Sequence, residues 1–273
     1  MMNERTRRKY ERLFFGRIDK ALKRQVSTFT AILKHNGLAA ARSENAVTLI
    51  NNQMAEVISR LYQVAGKAKA AQVYQSLMKE SRRQKEFGFN ASWTQAILDY
   101  FSLYLFSKVV VPITNTTKAM LEQKINEMIT NGYSIEWLVQ QVESPTFLGW
   151  RARMIARTES NRAINFGSEL GAKQTGFATW KEWVAVHDNR TRHEHKLLDT
   201  KKVSLNEEFA PGLAFPGDPN ASAAQTINCR CHLNYSLKRD SQGKPILEPG
   251  RTYTVSRRQA RPINRLIELL NNQ

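Results

Sequence analysis

The sequence predicts an α+β protein, with a long-helix N-terminal region followed by a small C-terminal α+β module that has few strands and a long irregular loop. Apolar residues recur at helical spacing up to about residue 176, and alternating aromatic and β-branched residues begin at Phe177. The 273 residues are 41% hydrophobic and 24% charged, which is enough for a core and excludes wholesale disorder. With 13 Gly, 8 Pro and 2 Cys, collagen-like and disulfide-scaffold classes are also excluded.

Two long helices are expected first. Apolar spacing predicts a helix over 4–35, which Asn36 and Gly37 would end, and a second helix over 43–79 without an internal proline. A helix of that length suggests a bundle or a coiled-coil-like stalk. We expect its apolar stripe to be buried against another helix or a partner. The stripe comprises Val47, Ile50, Met54, Val57, Leu61 and Val64.

Shorter helices follow, each with its own end signals. An apolar helix over 92–111 is expected to end near Pro112. Thr114 or Asn115 is expected to cap a helix over 116–130, which Asn131 and Gly132 would close. Ser134 is expected to cap a helix over 135–142. Thr146 is expected to cap a helix over 147–174.

The C-terminal third predicts strands around a long loop. Strands are expected at 180–186, 227–237 and 251–255, and a basic amphipathic helix at 257–271. The segment 187–228 is long and irregular, and such segments are usually functional or pinned. We therefore divide the chain into a helical docking region (1–145), an α+β module (146–240) and a basic tail with an amphipathic helix (241–273).

Positive charge dominates the chain and is concentrated at its two ends. The formal net charge is +17. Residues 1–34 hold ten Lys or Arg against three acids, and residues 236–273 hold eight against three. Basic terminal segments of this kind bind phosphate backbones without sequence preference. Helical faces that are simply exposed to solvent would show the same excess of positive charge. The candidate DNA contacts are Arg5, Arg7, Arg8, Lys9, Arg257 and Arg258. No apolar run is long enough to cross a bilayer, so we expect no membrane partner.

Both cysteines and four of the five histidines lie between 183 and 232. His193, His195, Cys229 and Cys231 could give the two nitrogens and two thiolates that tetrahedral zinc prefers, although one-residue spacing is unusual for zinc. The sequence leaves three alternatives for these residues. They are a strained disulfide, a buried hydrogen-bonded core without metal, and an enzyme that uses His195 as general base. We expect His195 to meet both cysteines, because strand pairing between 180–186 and 227–235 would pin the ends of the apolar-poor loop.

Four segments, in order, resemble the phage Mu F-like head-morphogenesis family. They are the helix containing Arg157-Thr158-Glu159 and Asn165, the run from Asp188 and Arg190 to His195, the loop Phe215-Pro216-Gly217-Asp218-Pro219, and the ending Asn228-Cys229-Arg230-Cys231. Leu198-Asp199-Thr200 stands where the family usually has Leu-Asp-Gly, so the turn expected there is altered. The resemblance covers about residues 150–235. The resemblance implies that the motif residues named above have structural roles. A buried network of Arg157 with Glu159 would explain why both charged residues occur on this helix.

The resemblance implies a non-catalytic minor virion protein for head morphogenesis, without a cofactor. Its expected partners are the portal protein, a major capsid or scaffold protein, and phage DNA bound non-specifically. It would lie in the capsid interior or at the portal vertex, and in the host cytoplasm during assembly. Some relatives carry an enzyme after the Cys-Arg-Cys element, and we expect none in the 40 or so residues that follow it here. The alternatives are a nucleic-acid-processing enzyme, metal-dependent or metal-free, that uses His195, and a plain DNA-binding protein without a virion role.

Overall fold

The computed structural model describes residues 4–42, 44–81 and 91–247. Long helices precede a small antiparallel sheet, so the predicted α+β fold is confirmed. The strand expected at 251–255, the helix expected at 257–271, and Arg257 and Arg258 lie outside the described residues. None of the helices within the described ranges is long and apolar enough to span a bilayer.

The helical part contains seven α-helices and two π-helical segments within the described residues. In chain order these are α1 (Glu4–Ala41), α2 (Glu44–Leu61), a π segment (Tyr62–Gly66), α3 (Lys67–Glu80), α4 (Ala91–Tyr100), a second π segment (Phe101–Val110), α5 (Val111–Asn131), α6 (Ile135–Glu143) and α7 (Pro145–Lys173).

The first two predicted helices are confirmed with small differences. Gly37 leaves the helical conformation at φ +80°, where the sequence predicts the end of the first helix, and a further helical stretch follows to Ala41. Helices α2 and α3 form one continuous path, because the residues at the ends of the intervening π segment keep helical backbone angles. The long helix predicted over 43–79 therefore exists and carries one local widening.

The prediction that a helix ends near Pro112 is wrong, and so is a cap at Thr114 or Asn115. The chain stays helical through Pro112, because a π segment precedes it and Pro112 occupies the first turn of α5, where a missing N–H costs little. Thr146 is not a cap either, since α7 already begins at Pro145 after Ser144. The caps predicted at Ser134 and Gly132 are confirmed: Ser134 accepts a hydrogen bond from the Trp137 N–H, and Gly132 has φ +68°.

A large apolar core runs through the helical part, and α3 contributes to a second cluster shared with the C-terminal module. The large core joins residues of α1, α2, α5, α6 and α7, and Met54 of α2 is fully buried in it. Because α2 packs on α1, the second π segment, α5 and α7, the described part of the predicted stripe faces helices of the chain itself. Met54 is therefore not part of a surface open to a partner.

Helix α7 crosses the α2–α3 helix at very short range. A methyl group added at Gly167 would lie 2.2 Å from the Gly66 carbonyl oxygen, and one added at Gly171 would lie 2.2 Å from that of Ala70. Only glycine fits at both positions without movement of the backbone. Two small residues on each helix, four positions apart, thus set the distance between the helices.

The C-terminal module is a three-stranded antiparallel sheet with short helices in its loop. Its elements are β1 (Thr179–Val184), α8 (His193–Leu197), β2 (Lys202–Ser204), α9 (Ala223–Thr226) and β3 (His232–Leu237), and the strand order is β2-β1-β3. The predicted pairing of the 180–186 and 227–235 segments is confirmed by the register from Thr179 opposite Leu237 to Val184 opposite His232. The sequence did not predict β2.

Residues 227–231 are not part of a strand, so the predicted strand begins five residues too early. Asn228 has φ +58°, a left-handed conformation that asparagine tolerates better than most residues. Side chains of α7 bind the backbone here, because Thr158 Oγ1 accepts from the Asn228 N–H at 2.9 Å and Asn161 donates to the Cys231 carbonyl oxygen at 3.1 Å. These backbone groups bond to a helix instead of to a neighbouring strand.

Candidate functional site

The C-terminal module packs on the middle of α7. Nearly all residues between Thr158 and Ala172 are buried, although many are polar. Four of these polar side chains bind the loop or the 227–231 turn. Asn165 joins Asn161 in donating to the Cys231 carbonyl oxygen, at 3.2 Å, and Arg162 donates from Nε to the Gly217 carbonyl oxygen at 2.5 Å. The module is therefore held to the helix by buried hydrogen bonds as well as by apolar packing.

A buried ion pair lies at the centre of this contact. Arg162 Nη1 donates to Glu159 Oε1 at 2.6 Å, and the Tyr62 hydroxyl donates to Glu159 Oε2 at 3.2 Å. Burial raises the pKa of the Glu159 carboxyl, although Arg162 and Tyr62 act in the opposite direction. Arg162 is thus a key structural residue that the sequence analysis missed, and its i, i+3 spacing from Glu159 on a helix was the available signal.

The expected network of Arg157 with Glu159 is absent from the structure. Arg157 points to the other side of α7 and binds Glu11 of α1 at 3.2 Å, with about a third of its side chain exposed. The two residues are only two positions apart, and positions with that spacing do not share a face of a helix.

Asp188 and Arg230 tie the start of the long loop to its end. Both guanidinium Nη atoms donate to the two Asp188 carboxylate oxygens, each at 2.6 Å, in a bidentate pair. The hydrogen bonds from Arg230, helped by Thr191 and the Arg190 N–H, hold the pKa of the Asp188 carboxyl well below its usual range. Arg190 itself is largely exposed and lies 3.5 Å from Asp188. The Asp188–Arg230 pair joins the two ends of the loop.

Asp218 shapes the turn that Arg162 holds. Its two carboxylate oxygens accept from the backbone N–H groups of Ala214 and Asn220, at 3.1 and 2.9 Å. Burial raises the pKa of the Asp218 carboxyl, while these two N–H groups act in the opposite direction. Asp218 is therefore a buried loop organiser.

His195, Cys229 and Cys231 converge inside the module, as predicted. The Nδ1 atom of His195 lies 3.7 Å from Cys229 Sγ and 3.6 Å from Cys231 Sγ, and all three side chains are buried. Both cysteines carry free thiols, so the disulfide alternative is wrong. The hydrogen bond with the Cys229 thiol lowers the pKa of the Cys231 thiol. His193 is exposed on α8 and takes no part in this group.

The second nitrogen of His195 is also occupied. His195 Nε2 lies 2.8 Å from Gln225 Oε1, an atom that can only accept, so Nε2 carries the proton and Nδ1 presents a lone pair to the two sulfurs. The indole of Trp183 packs edge-on against the ring, with centroids 5.2 Å apart. The three donor atoms could hold a soft metal ion, or share hydrogen bonds between thiols and imidazole.

The candidate DNA contacts in α1 differ in accessibility. Arg7 is buried and bound to Glu11 at 2.7 Å, so the prediction that Arg7 contacts DNA is wrong. Arg8 is exposed and bound to Glu4 at 2.7 Å. The exposed face of α1 continues the basic surface further than the sequence analysis proposed. The exposed cations of α1 are Arg5, Arg8, Lys9, Arg12, Arg17, Lys20, Lys23, Arg24 and Lys34.

Residues 119–234 match the family described as Phage Mu protein F like protein. The minor head protein GP7 of Bacillus phage SPP1 is 29% identical over an alignment of 144 residues, and the match covers 46% of each chain. YqbB of Bacillus subtilis strain 168, an uncharacterized protein, is 30% identical over 126 residues, 43% of this chain and 41% of that protein. The NAD(+)–arginine ADP-ribosyltransferase EFV of Enterococcus faecalis strain V583 is 26% identical over 246 residues, 76% of this chain and 50% of that protein.

The chain spans half the length or less of these curated relatives. No solved structure matches it. The matched segment begins within α5 and ends within β3, and it contains α7, the Asp188–Arg230 pair and the His195 cluster. The motifs quoted from the sequence therefore lie in the segment that the family match covers. The chain is therefore similar to the Phage Mu protein F like family over residues 119–234.

Proposed function

We propose that the protein is a minor virion component that acts in phage head morphogenesis and catalyses no reaction. The observation that carries the proposal is the family match over 119–234 together with the likeness to a minor head protein over nearly half of the chain. The portal vertex is the proposed place in the particle, and phage DNA is the proposed non-specific ligand.

The contacts of the motif residues, and of their neighbours Asn161 and Arg162, support a structural role. Thr158, Asn161 and Asn165 hold the 228–231 turn, Arg162 holds Gly217, and Asp188 holds Arg230. Each of these side chains makes at least one hydrogen bond within the chain, as polar residues of a folded scaffold do, and a catalytic cleft would instead present such groups to a substrate.

The environment of His195 argues against the enzymatic alternative. A general base must reach a proton of its substrate through a free nitrogen. His195 is 2% exposed, one ring nitrogen faces Gln225 and the other faces two sulfurs. The arginine ADP-ribosyltransferase activity in the name of the relative from Enterococcus faecalis belongs to that protein, and the chain spans half of its length.

Docking in the particle is the first part of the proposal to test. We propose that the helical region binds the portal protein, or a major capsid or scaffold protein. Mass spectrometry of purified particles should find the protein at low copy number, and capsids assembled without a portal should lack it. Its presence in portal-free capsids would place it on the shell instead. Its absence from all particles, despite normal expression, would contradict a virion role and favour a plain DNA-binding protein.

The basic face of α1 is the proposed DNA contact. It carries exposed cations along the length of a helix of 38 residues, and its acidic neighbours Glu4, Glu11 and Asp19 are bound to arginine or lysine side chains. Each phosphate contact contributes about 0.9 to the slope of log K against log salt on duplex DNA. Replacing Lys9, Arg12 and Lys20 with Gln should therefore flatten the slope by up to three such increments.

A matched variant separates the α1 face from net charge alone. Lys79, Lys196 and Lys244 are exposed and belong to other segments than α1, so changing all three to Gln removes the same charge. We expect this control to leave the slope nearly unchanged in a filter-binding titration on duplex DNA. Equal slopes for the two triple variants would show that the α1 face is only solvated surface.

A further inference from the structure

We propose that His195, Cys229 and Cys231 form a zinc site that locks the long loop of the C-terminal module. The three side chains come from α8 and from the turn before β3, and their ligand atoms all lie within 4.8 Å of one another. Two sulfurs and one imidazole nitrogen form a soft donor set, which selects zinc over magnesium or calcium.

The distances between the donor atoms fit a tetrahedral ion. With Zn–S of about 2.3 Å and Zn–N of about 2.0–2.1 Å, the edge between nitrogen and sulfur of a tetrahedron is about 3.6 Å. The observed separations from His195 Nδ1 are 3.7 Å to Cys229 Sγ and 3.6 Å to Cys231 Sγ. A single lone pair on Nδ1 can accept one S–H group well, whereas one cation satisfies all three donor atoms together.

Gln225 supplies the outer contact that a zinc-bound histidine usually has. Its side-chain oxygen accepts from Nε2 at 2.8 Å and so directs the Nδ1 lone pair toward the sulfurs. Outer partners of this kind fix the tautomer and the orientation of the ring, and their loss typically lowers metal affinity about 10–100-fold. Gln225 lies on α9, so a third segment of the loop is tied to the site.

The charge balance also favours a bound zinc ion over two buried thiolates without a cation. Two thiolates and a neutral imidazole around a divalent cation give a neutral group, which can be buried without an uncompensated charge. The cysteines are 3% and 2% exposed and the histidine is 2% exposed. Among the residues that the structure describes, this group has three members, which leaves the fourth position of the ion to water or another small ligand.

Such a site would close the loop from 196 to 228. That loop begins next to His195 and ends next to Cys229, and it contains only short elements. Zinc would add to the Asp188–Arg230 pair, which joins nearly the same two places in the chain.

The test uses the full chain, expressed in zinc-supplemented medium and purified without a metal-binding tag. Elemental analysis should find stoichiometric zinc, and a strong chelator should remove it and lower the melting temperature, because zinc binding energy is folding energy here. Cobalt should replace it and give the charge-transfer and visible bands of tetrahedral thiolate coordination.

Three variants place the ion. Cys231→Ser should lose zinc, and Gln225→Ala should bind it about 10–100-fold more weakly while keeping the fold. His193→Ala is the matched control, because His193 is exposed and outside the group, and it should keep full zinc. If Cys231→Ser fails to fold, the cobalt spectrum of the unaltered protein and the affinity of Gln225→Ala decide the matter. A protein that takes up neither zinc nor cobalt, and whose melting temperature ignores chelator, would identify a hydrogen-bonded thiol–imidazole core and overturn the proposal.

Discussion

Replacing Gly167 with alanine tests the close crossing of α7 over the α2–α3 helix. A methyl group at this position would lie 2.2 Å from the Gly66 carbonyl oxygen and 2.7 Å from two further backbone atoms of the same residue. Backbone atoms in a packed helix cannot turn aside as a flexible side chain can. The two helices must therefore separate, or one must shift along the other.

The expected magnitude combines two opposing effects. Overpacking of a well-packed contact typically costs about 1–3 kcal/mol, and a clash with backbone belongs at the upper end. Alanine in place of glycine inside a helix gains about 1 kcal/mol in propensity. The net loss in the free energy of unfolding should thus be about 2 kcal/mol, which corresponds to a fall in Tm of about 4–8 °C for a chain of this size.

Gly149 provides the control, because it lies in the same helix and a methyl group there meets nothing within 4 Å. Gly149→Ala should be neutral or stabilising by up to about 1 kcal/mol. Urea unfolding followed by circular dichroism compares the two variants, and their difference isolates the clash from helix propensity. If Gly167→Ala is as stable as Gly149→Ala, the reasoning about the crossing is wrong.

Two further variants test the polar contacts of α7 and of the loop. Arg162→Gln leaves the buried Glu159 carboxylate without its partner and should cost about 3–5 kcal/mol in urea unfolding, whereas Arg157→Gln breaks a partly exposed pair with Glu11 and should cost under about 1 kcal/mol; equal losses would contradict the burial argument. Asp188→Asn should lower Tm at neutral pH. Because the pKa of Asp188 is depressed in the folded protein, its contribution is complete above the ordinary carboxyl range near about 4 and is lost as the pH falls through the folded-state pKa. The Tm difference between the two proteins should narrow in acid, and a constant difference would refute the assignment.

Local signals predicted much of the helical region correctly. Ser134 as a cap and Gly132 as a left-handed end depend on the residues beside them, so the sequence contains the information needed. Pro112 was misinterpreted because its effect depends on the π segment before it, which no short sequence pattern announces. Strand β2 has three residues and exists only through its pairing with β1, so its own sequence carries almost no signal.

The sequence was enough to predict that His195 meets both cysteines, but not which charged side chains bind each other. The meeting of His195 with both cysteines followed from the need to pin a loop with few apolar residues, and the structure confirms it. The partners of Glu159 and Arg7 could not be assigned in the same way. Burial decides whether a charged residue on a helix faces solvent or a partner, and burial depends on the packing of distant segments.

Helix α7 belongs to two cores at once, and this has a consequence for how the protein unfolds. One side of the helix packs in the bundle with α1 and the α2–α3 helix, and its polar side chains bind the backbone of the C-terminal module. Unfolding of either the helical bundle or the C-terminal module removes the contacts of the same buried turns of α7. The two parts should therefore behave as one cooperative unit, in which the amide hydrogens in the middle of α7 exchange with solvent only when the whole molecule opens.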